Sequence, residues 1–462
     1  MSDAAGHALA PEILRDYDIR GTVGRNLSAA DAEAIGRSFA TCVRRAGGRR
    51  VAVGRDGRTQ SPMLEAALVA GLAAGGVDVV RIGLGPSPML YYAAHALEVD
   101  GGIQVTGSHN PKQDNGFKLV LGGDSFFGEA IQALAQLAAT GDWSKGAGTI
   151  EDADIRDAYV GRLMAGYAGG AFRVGWDCGN GAAGPLVERL VQRLPGEHHV
   201  LFAEVDGEFP NHHPDPTIPA NLADLQALVA AKKLDFGVAF DGDGDRFGAV
   251  TGDGRVLFGD EILAILAQPL LAALPGATIV ADVKSSQAVF DRIVALGGRP
   301  FMGKTGHSQM KARMKEVGAP LAGELSGHLF FGHDFYGVDD ALYATIRLIH
   351  AVHVGGGSLS ALADELPPRC ATPEWRVAVP EVRKAGIVKE VIDGLDVAAD
   401  LTDGARVATA DGWWLLRASN TEAALTLRAE ARDRAGLARV VADVEGRLAA
   451  AGVTLPPAPE SS

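Results

Sequence analysis

Arg50-Val51-Ala52-Val53-Gly54, followed at once by Arg55-Asp56-Gly57, is a short β-branched apolar run that ends in a Gly/Asp turn. Such a run predicts a buried strand closing on a tight connection. Apolar positions at helical spacing follow over 62–74, and a second strand-like run occupies 77–82. The same strand–turn–helix–strand unit recurs twice. Phe172-Arg173-Val174-Gly175-Trp176 leads through Asp177-Cys178-Gly179-Asn180-Gly181 to a helical segment over 185–193 and a strand over 200–205. Ala277-Thr278-Ile279-Val280 leads through Ala281-Asp282-Val283-Lys284 to 287–296 and 300–302. A unit that repeats in this way predicts related α/β domains.

Beyond Pro367-Pro368 the pattern changes. Extended runs over 375–379, 412–416 and 424–429 alternate with helical periods over 382–393 and 437–449. That is an α+β unit with antiparallel pairing. The expected fold class is α/β, with three related mixed α/β domains followed by a C-terminal α+β domain. The expected boundaries are 1–150, 151–256, 257–367 and 368–462. The Pro-containing tail 455–462 is expected to be disordered.

Bulk properties narrow the function classes. A length of 462 residues with 47% hydrophobic content supports several cores. The formal charge of −14 argues against a general nucleic-acid binder, which needs a basic face. Cys42, Cys178 and Cys370 are far apart and lack CxxC spacing, so neither a disulfide framework nor a zinc site is indicated. The N-terminal residues lack the pattern of a signal peptide. The longest apolar stretch, 262–274, is broken by Gln268 and Pro269 and is too short to span a bilayer. A cytoplasmic protein with no membrane partner is expected.

Four segments carry chemistry. Asp241-Gly242-Asp243-Gly244-Asp245-Arg246 follows the apolar run 236–240. Carboxylates at alternate positions of a Gly-rich loop repel one another unless a cation offsets them, and hard oxygen donors suit Mg²⁺. An EF-hand would need Gly and Glu where Arg246 and Gly252 stand. An acidic surface turn is the plainer alternative. Arg246 beside the carboxylates suggests that the site also holds an anion. In Thr106-Gly107-Ser108-His109-Asn110-Pro111, with Lys118 further on, Ser108 sits on a tight loop as a candidate nucleophile or phosphate carrier. His109 and Lys118 offer positive charge and proton transfer there, and an ordinary Ser/Asn turn is the alternative.

In Gly323-Glu324-Leu325-Ser326-Gly327-His328, an extended chain would point Glu324, Ser326 and His328 to one side, a set that suits sugar hydroxyls. Arg417-Ala418-Ser419-Asn420-Thr421-Glu422, in a short loop between strands, can cradle a phosphate. Solvated turns remain the alternative for both. Two further segments support these: Tyr17-Asp18-Ile19-Arg20-Gly21 and Gly303-Lys304-Thr305-Gly306-His307-Ser308. From Gly298 to Thr305 the latter region spells the P-loop pattern, but a P-loop follows a strand and opens a helix. Here Gly298 follows a helical segment and 300–302 reads as a strand, so an NTPase is not expected.

Taken in order and at their spacing, these segments resemble the α-D-phosphohexomutase family, closest to its bacterial phosphomannomutase/phosphoglucomutase branch, over essentially the whole chain. The resemblance implies four domains around a central cleft, each giving one loop. It implies phosphoryl transfer between the 1- and 6-positions of a hexose phosphate, through a phosphoserine enzyme and a 1,6-bisphosphate intermediate. Ser108 matches the phosphoserine, and its phosphate oxygen joins Asp241, Asp243 and Asp245 in holding Mg²⁺. Arg20, His109, Lys118, Arg246 and His328 match catalytic positions, with Lys118 or His328 as the base. Tyr17, Lys284, His307, Glu324 and Ser326 match substrate-binding positions, and Arg417, Ser419, Asn420 and Thr421 match the distal phosphate loop. Leu325 with Ser326, and Thr106-Gly107-Ser108, fit the mannose/glucose branch better than the phosphoglucosamine one. The implied activator is glucose 1,6-bisphosphate or an equivalent that phosphorylates Ser108, and a monomer is expected. The competing readings are a phosphoglucosamine mutase, a phosphatase with Asp241 as nucleophile, and a sugar-phosphate sensor.

Overall fold

The structure is a computed structural model that describes residues 6–419 and 423–455. Its strands form four sheets in succession along the chain. The first runs in the order Ile19–Thr22, Asp114–Leu121, Gly101–Val105, Arg50–Arg55, Asp78–Leu84, Ile150–Asp152, with Asp124–Ser125 added beside Asp114–Leu121. The second runs Val256–Leu257, Phe247–Thr251, Phe236–Phe240, Phe172–Asp177, Gly196–Leu201. The third runs Arg299–Gly303, Thr278–Asp282, Leu321–Gly323, Leu329–Phe331, Val338–Asp339.

These three sheets share one plan. The first strand of each repeated unit pairs in parallel with its second strand on one side and with a third strand on the other. The third strand then turns back into an antiparallel partner. Parallel neighbours need helical crossovers, which explains the strand–turn–helix–strand unit, and helices over the sheet explain why all five residues of Phe236–Phe240 are buried. The three turns at that reversal carry 106–113, 241–246 and 324–328. Three of the four chemical segments are thus the same hairpin turn in three copies of one architecture.

The second sheet corrects one expectation. Its edge strand is Gly196–Leu201, not 200–205. Glu197, His198 and His199 carry it, and no residue of it is fully buried, so no apolar alternation marks it. The P-loop pattern is absent as a structure: Arg299–Gly303 is a strand, and the following helix begins at His307. All but the last residue of the apolar stretch 262–274 lies in the helix Gly259–Ala273, which belongs to the core. Among the described residues no helix is long and apolar enough to cross a membrane. All three cysteines are free.

The fourth sheet is antiparallel throughout, ordered Cys370–Ala371, Ala424–Ala431, Gly412–Ala418, Ala405–Ala408, Ala399–Asp400, with Trp375–Ala378 also pairing Ala424–Ala431. The helices Glu381–Asp393 and Arg434–Ala450 cover it and close a separate core around Trp414 and Leu416.

Candidate active site

The serine loop is held from behind by the turn that follows the first strand. Arg58 is 1% exposed, and its guanidinium donates to the carbonyls of Ser108 (2.7 Å), Asn110 (2.6 Å), Pro111 (2.7 Å) and Asp114 (2.9 Å). Asp56 Oδ2 accepts from the Gly107 amide at 3.0 Å. A Cβ on Gly107 would lie 2.4 Å from Arg58 Nε, so the packing needs glycine there. These bonds hold Ser108 at φ +48°, a left-handed conformation that costs a non-glycine residue about 1 kcal/mol or more.

The second hairpin meets this loop backbone to backbone. A Cβ on Gly242 would lie 2.4 Å from the Ser108 carbonyl oxygen. Close approach lets the Ser108 hydroxyl donate to Asp241 Oδ2 at 2.9 Å. Arg246 Nε donates to the same oxygen at 3.1 Å, and the Asp245 and Arg246 amides donate to Oδ1. Asp243 accepts from Ser87 (2.5 Å), Thr106 (3.2 Å) and Lys118 (2.7 Å), and Lys118 also donates to Asp245. The third hairpin is stitched to the second by pairing of Arg246 with His328 and by a 3.2 Å bond from the Phe247 amide to the Gly327 carbonyl.

Burial sets the electrostatics of this cluster. Burial and the neighbouring Asp243 push the Asp241 carboxyl up to about 7. Burial alone would also raise Asp243 and Asp245, yet both lie low, largely because Lys118 stands between them. Burial would lower the Lys118 ammonium, but the three aspartates outweigh it and hold it above its usual value. His328 is treated alike: burial pulls it down, and Asp245 with Glu324 pushes it up to about 9. His109 goes the other way. Burial and Arg246 push it down to about 3, so it is a neutral imidazole. Of the two positive charges expected beside Ser108, only the Lys118 charge is present.

The triad fits a hard divalent cation. Asp241, Asp243 and Asp245 are each 0% exposed, and they present oxygens within 4.8 Å of one another. The buried Oδ1 of Asp243 accepts no hydrogen bond, and Asp245 Oδ1 has only the His328 imidazole at 3.3 Å, a costly arrangement for carboxylates unless a further cation meets them.

Glu324, Ser326 and His328 do converge, although not along an extended strand. The chain turns at Gly327 (φ +98°), and the Glu324 amide bonds the His328 carbonyl at 2.9 Å. Glu324 Oε2 then accepts from Ser326 Oγ at 3.2 Å and lies 2.8 Å from His328 Nδ1. Arg20 donates to Asn110 Oδ1 at 2.5 Å and Asp18 at 2.5 Å. The Tyr17 hydroxyl donates to the Thr305 carbonyl at 2.8 Å. Lys284 pairs with Glu374 at 3.2 Å, and His307 stacks on His328 at 5.7 Å between centroids. Arg417 and Ser419 lie in the fourth-sheet hairpin, whereas Asn420 and Thr421 fall outside the described residues. Tyr17, Arg20, Ser108, His109, Lys118, Arg246, Lys284, His307, Glu324, Ser326, His328, Arg417 and Ser419 all line one cleft.

The sequence does not mark every participant. The loop Asn211-His212-His213-Pro214-Asp215 presses on the serine loop from the second unit. Asp215 Oδ2 lies 3.2 Å from His109 Nδ1, and its Oδ1 lies 3.7 Å from Arg246. His213 Nε2 lies 2.5 Å from the His109 carbonyl oxygen. The density of histidine, aspartate and proline was the available signal, but it matches no ligand spacing. Asp215→Ala removes the carboxylate facing a buried arginine and should cost about 3 kcal/mol of stability, read by chemical denaturation, with Asp215→Asn costing less.

Comparisons with known proteins agree with this geometry. Models of the phosphoglucomutase/phosphomannomutase family match in chain order: α/β/α domain I over residues 11–145, domain II over 159–254, domain III over 258–370 and the C-terminal domain over 374–447. A phosphomannomutase/phosphoglucomutase of Pseudomonas putida is 44% identical over 95% of this chain and 96% of its own length. Its counterpart from Pseudomonas aeruginosa is 42% identical over 99% of both. A crystal structure of a phosphoglucomutase/phosphomannomutase family protein from Burkholderia thailandensis superposes with a TM-score of 0.92 at 42% identity, covering 97% of this chain and 100% of that one. With all four family domains present in order over nearly its full length, the chain belongs to the phosphoglucomutase/phosphomannomutase family.

Proposed function

We propose that this chain interconverts the 1- and 6-phosphates of mannose and glucose through a phosphorylated Ser108. The observation that carries the reading is the 2.9 Å bond from Ser108 Oγ to Asp241, within a carboxylate triad, with Ser108 and Arg417 lining the same cleft. Asp241, Asp243, Asp245 and a phosphate oxygen on Ser108 would hold Mg²⁺, which supplies charge neutralisation at the phosphoryl oxygens.

Arg417 and Ser419, with Asn420 and Thr421, bind the phosphate already on the sugar. Glu324 and Ser326 hold the ring hydroxyls. The free sugar hydroxyl faces phosphoserine and attacks phosphorus in line. The bond from phosphorus to the sugar oxygen forms as the bond to Ser108 Oγ breaks. Lys118 and His328, both kept on the protonated side by the carboxylates around them, give a proton to the departing Ser108 oxygen, and the sugar hydroxyl proton refills the pair. The 1,6-bisphosphate then turns end for end, and Ser108 takes back the other phosphoryl group. Arg20 and Arg246 offset charge near Ser108, Lys284 adds a further positive charge to the cleft, and His307, which burial and the neighbouring lysines push well below its usual value, offers a neutral imidazole for hydrogen bonding. Positioning and charge stabilisation supply most of the rate. Glucose 1,6-bisphosphate serves as the activator that phosphorylates free Ser108. One chain supplies every group, so a monomer suffices.

Intact mass spectrometry tests the reading. The purified protein should weigh one phosphoryl group more than its sequence, should lose it to a phosphatase, and should convert mannose 1-phosphate and glucose 1-phosphate to the 6-phosphates. Release of inorganic phosphate by an enzyme indifferent to Ser108 would instead identify a phosphatase.

A further inference from the structure

The segment that mimics a P-loop has another use. Thr305 lies between the third sheet and both outer units, and its polar groups are committed across them. Its amide donates to Asp403 Oδ2 of the fourth unit at 3.1 Å. Its carbonyl accepts from the Tyr17 hydroxyl of the first unit at 2.8 Å. Its own hydroxyl donates to Asp282 at 3.2 Å, which anchors the residue to the third sheet.

Asp403 makes a second contact within its own unit. The same Oδ2 lies 3.0 Å from Arg417 Nε. A local feature brings the two together. Gly404 has φ +81°, and a Cβ there would lie 2.3 Å from the Leu416 carbonyl, so the turn presses directly on the strand that carries Arg417. Arg417 and Thr305 line the cleft, and Asp403 stands behind them. The ion pair at this distance holds the charged end of Arg417 against the turn and limits where it can meet a phosphate.

The two contacts respond differently to motion. Displacement of the fourth unit from the third breaks the bond to Thr305, whereas the pair with Arg417 moves as one body. We infer that Asp403 is a positioning residue that couples closure of the fourth unit onto Thr305 to the aim of Arg417 at the distal phosphate. This rests on the phosphohexomutase reading of the cleft. Closure must outlast the turning of the bisphosphate. Each bisphosphate that escapes carries away the phosphoryl group that Ser108 held, and leaves a free Ser108 hydroxyl that only added bisphosphate can recharge.

The test uses phosphorylated full-length enzyme, glucose 1-phosphate labelled at phosphorus, and anion-exchange chromatography of free bisphosphate per turnover. Asp403→Ala should raise KM by roughly tenfold and raise bisphosphate release per turnover by a similar factor, with activity now dependent on added glucose 1,6-bisphosphate. Asp403→Asn keeps an acceptor for the Thr305 amide and loses the charge facing Arg417. It should raise KM comparably while releasing less bisphosphate than the alanine variant. The isosteric change also serves if Asp403→Ala does not fold. Wild-type KM and wild-type release in the folded variants overturn the inference, as does a fall in kcat with both unchanged. A wild-type protein that shows no mutase turnover overturns the functional reading instead.

Discussion

Ser108→Ala should leave a folded protein whose mutase turnover is lower by at least about a thousandfold, even with saturating bisphosphate. The fold survives because the loop does not depend on the hydroxyl. Arg58 and Asp56 hold its backbone, and the left-handed conformation at residue 108 strains alanine much as it strains serine. The one side-chain bond lost is that to Asp241, whose Oδ2 keeps the Arg246 donor. A net loss of about 1 kcal/mol follows, within reach of a thermal melt. Catalysis has no such substitute, because the oxygen that carries the phosphoryl group is absent. Phosphate-free mass and unchanged circular dichroism should accompany the loss. Wild-type turnover in this variant would end the phosphoserine reading.

The parts legible in the sequence share a cause. Phe236–Phe240 is buried on both faces, so its residues are all apolar or glycine, and it announces itself as a strand whose end must hold Asp241. The hairpin turns could be found because Gly107, Gly242 and Gly327 stand where close approach or a positive φ excludes other residues. Where a segment is not covered by its neighbours, the signal fades. Gly196–Leu201 is an exposed edge strand and was placed several residues late. Long-range partners were invisible for a different reason. Asp215 and Asp403 act through contacts 106 and 14 positions away in the chain, with His109 and Arg417 respectively, and nothing local marks either aspartate as more than a loop residue. The sequence shows His109 but neither its burial nor the Arg246 guanidinium beside it, which together push the imidazole down and leave it neutral where a positive charge is expected.

Asp243→Asn should separate the electrostatic part of the site from its architecture. The asparagine keeps the shape, an acceptor for Ser87, Thr106 or Lys118, and nearly the volume. It loses the charge, and its amide nitrogen cannot ligate a cation. Two effects follow. Mg²⁺ loses one of three carboxylates, so the concentration needed for half-maximal activity should rise at least about tenfold, and turnover at saturating Mg²⁺ should fall by about a hundredfold or more, the scale of losing one stabilising contact to developing charge. Lys118 loses one of its two close carboxylate partners but keeps Asp245, so the fold should persist with a penalty of about 1–3 kcal/mol. Lys118→Met tests the converse. Removing the ammonium leaves Asp243 without a cationic partner and Asp245 with His328 alone, and that variant should become strongly stabilised by added Mg²⁺ in a melt, more than the wild type is. If Asp243→Asn retained wild-type Mg²⁺ dependence, the triad would be a structural charge cluster around Lys118, and the metal would have to lie elsewhere.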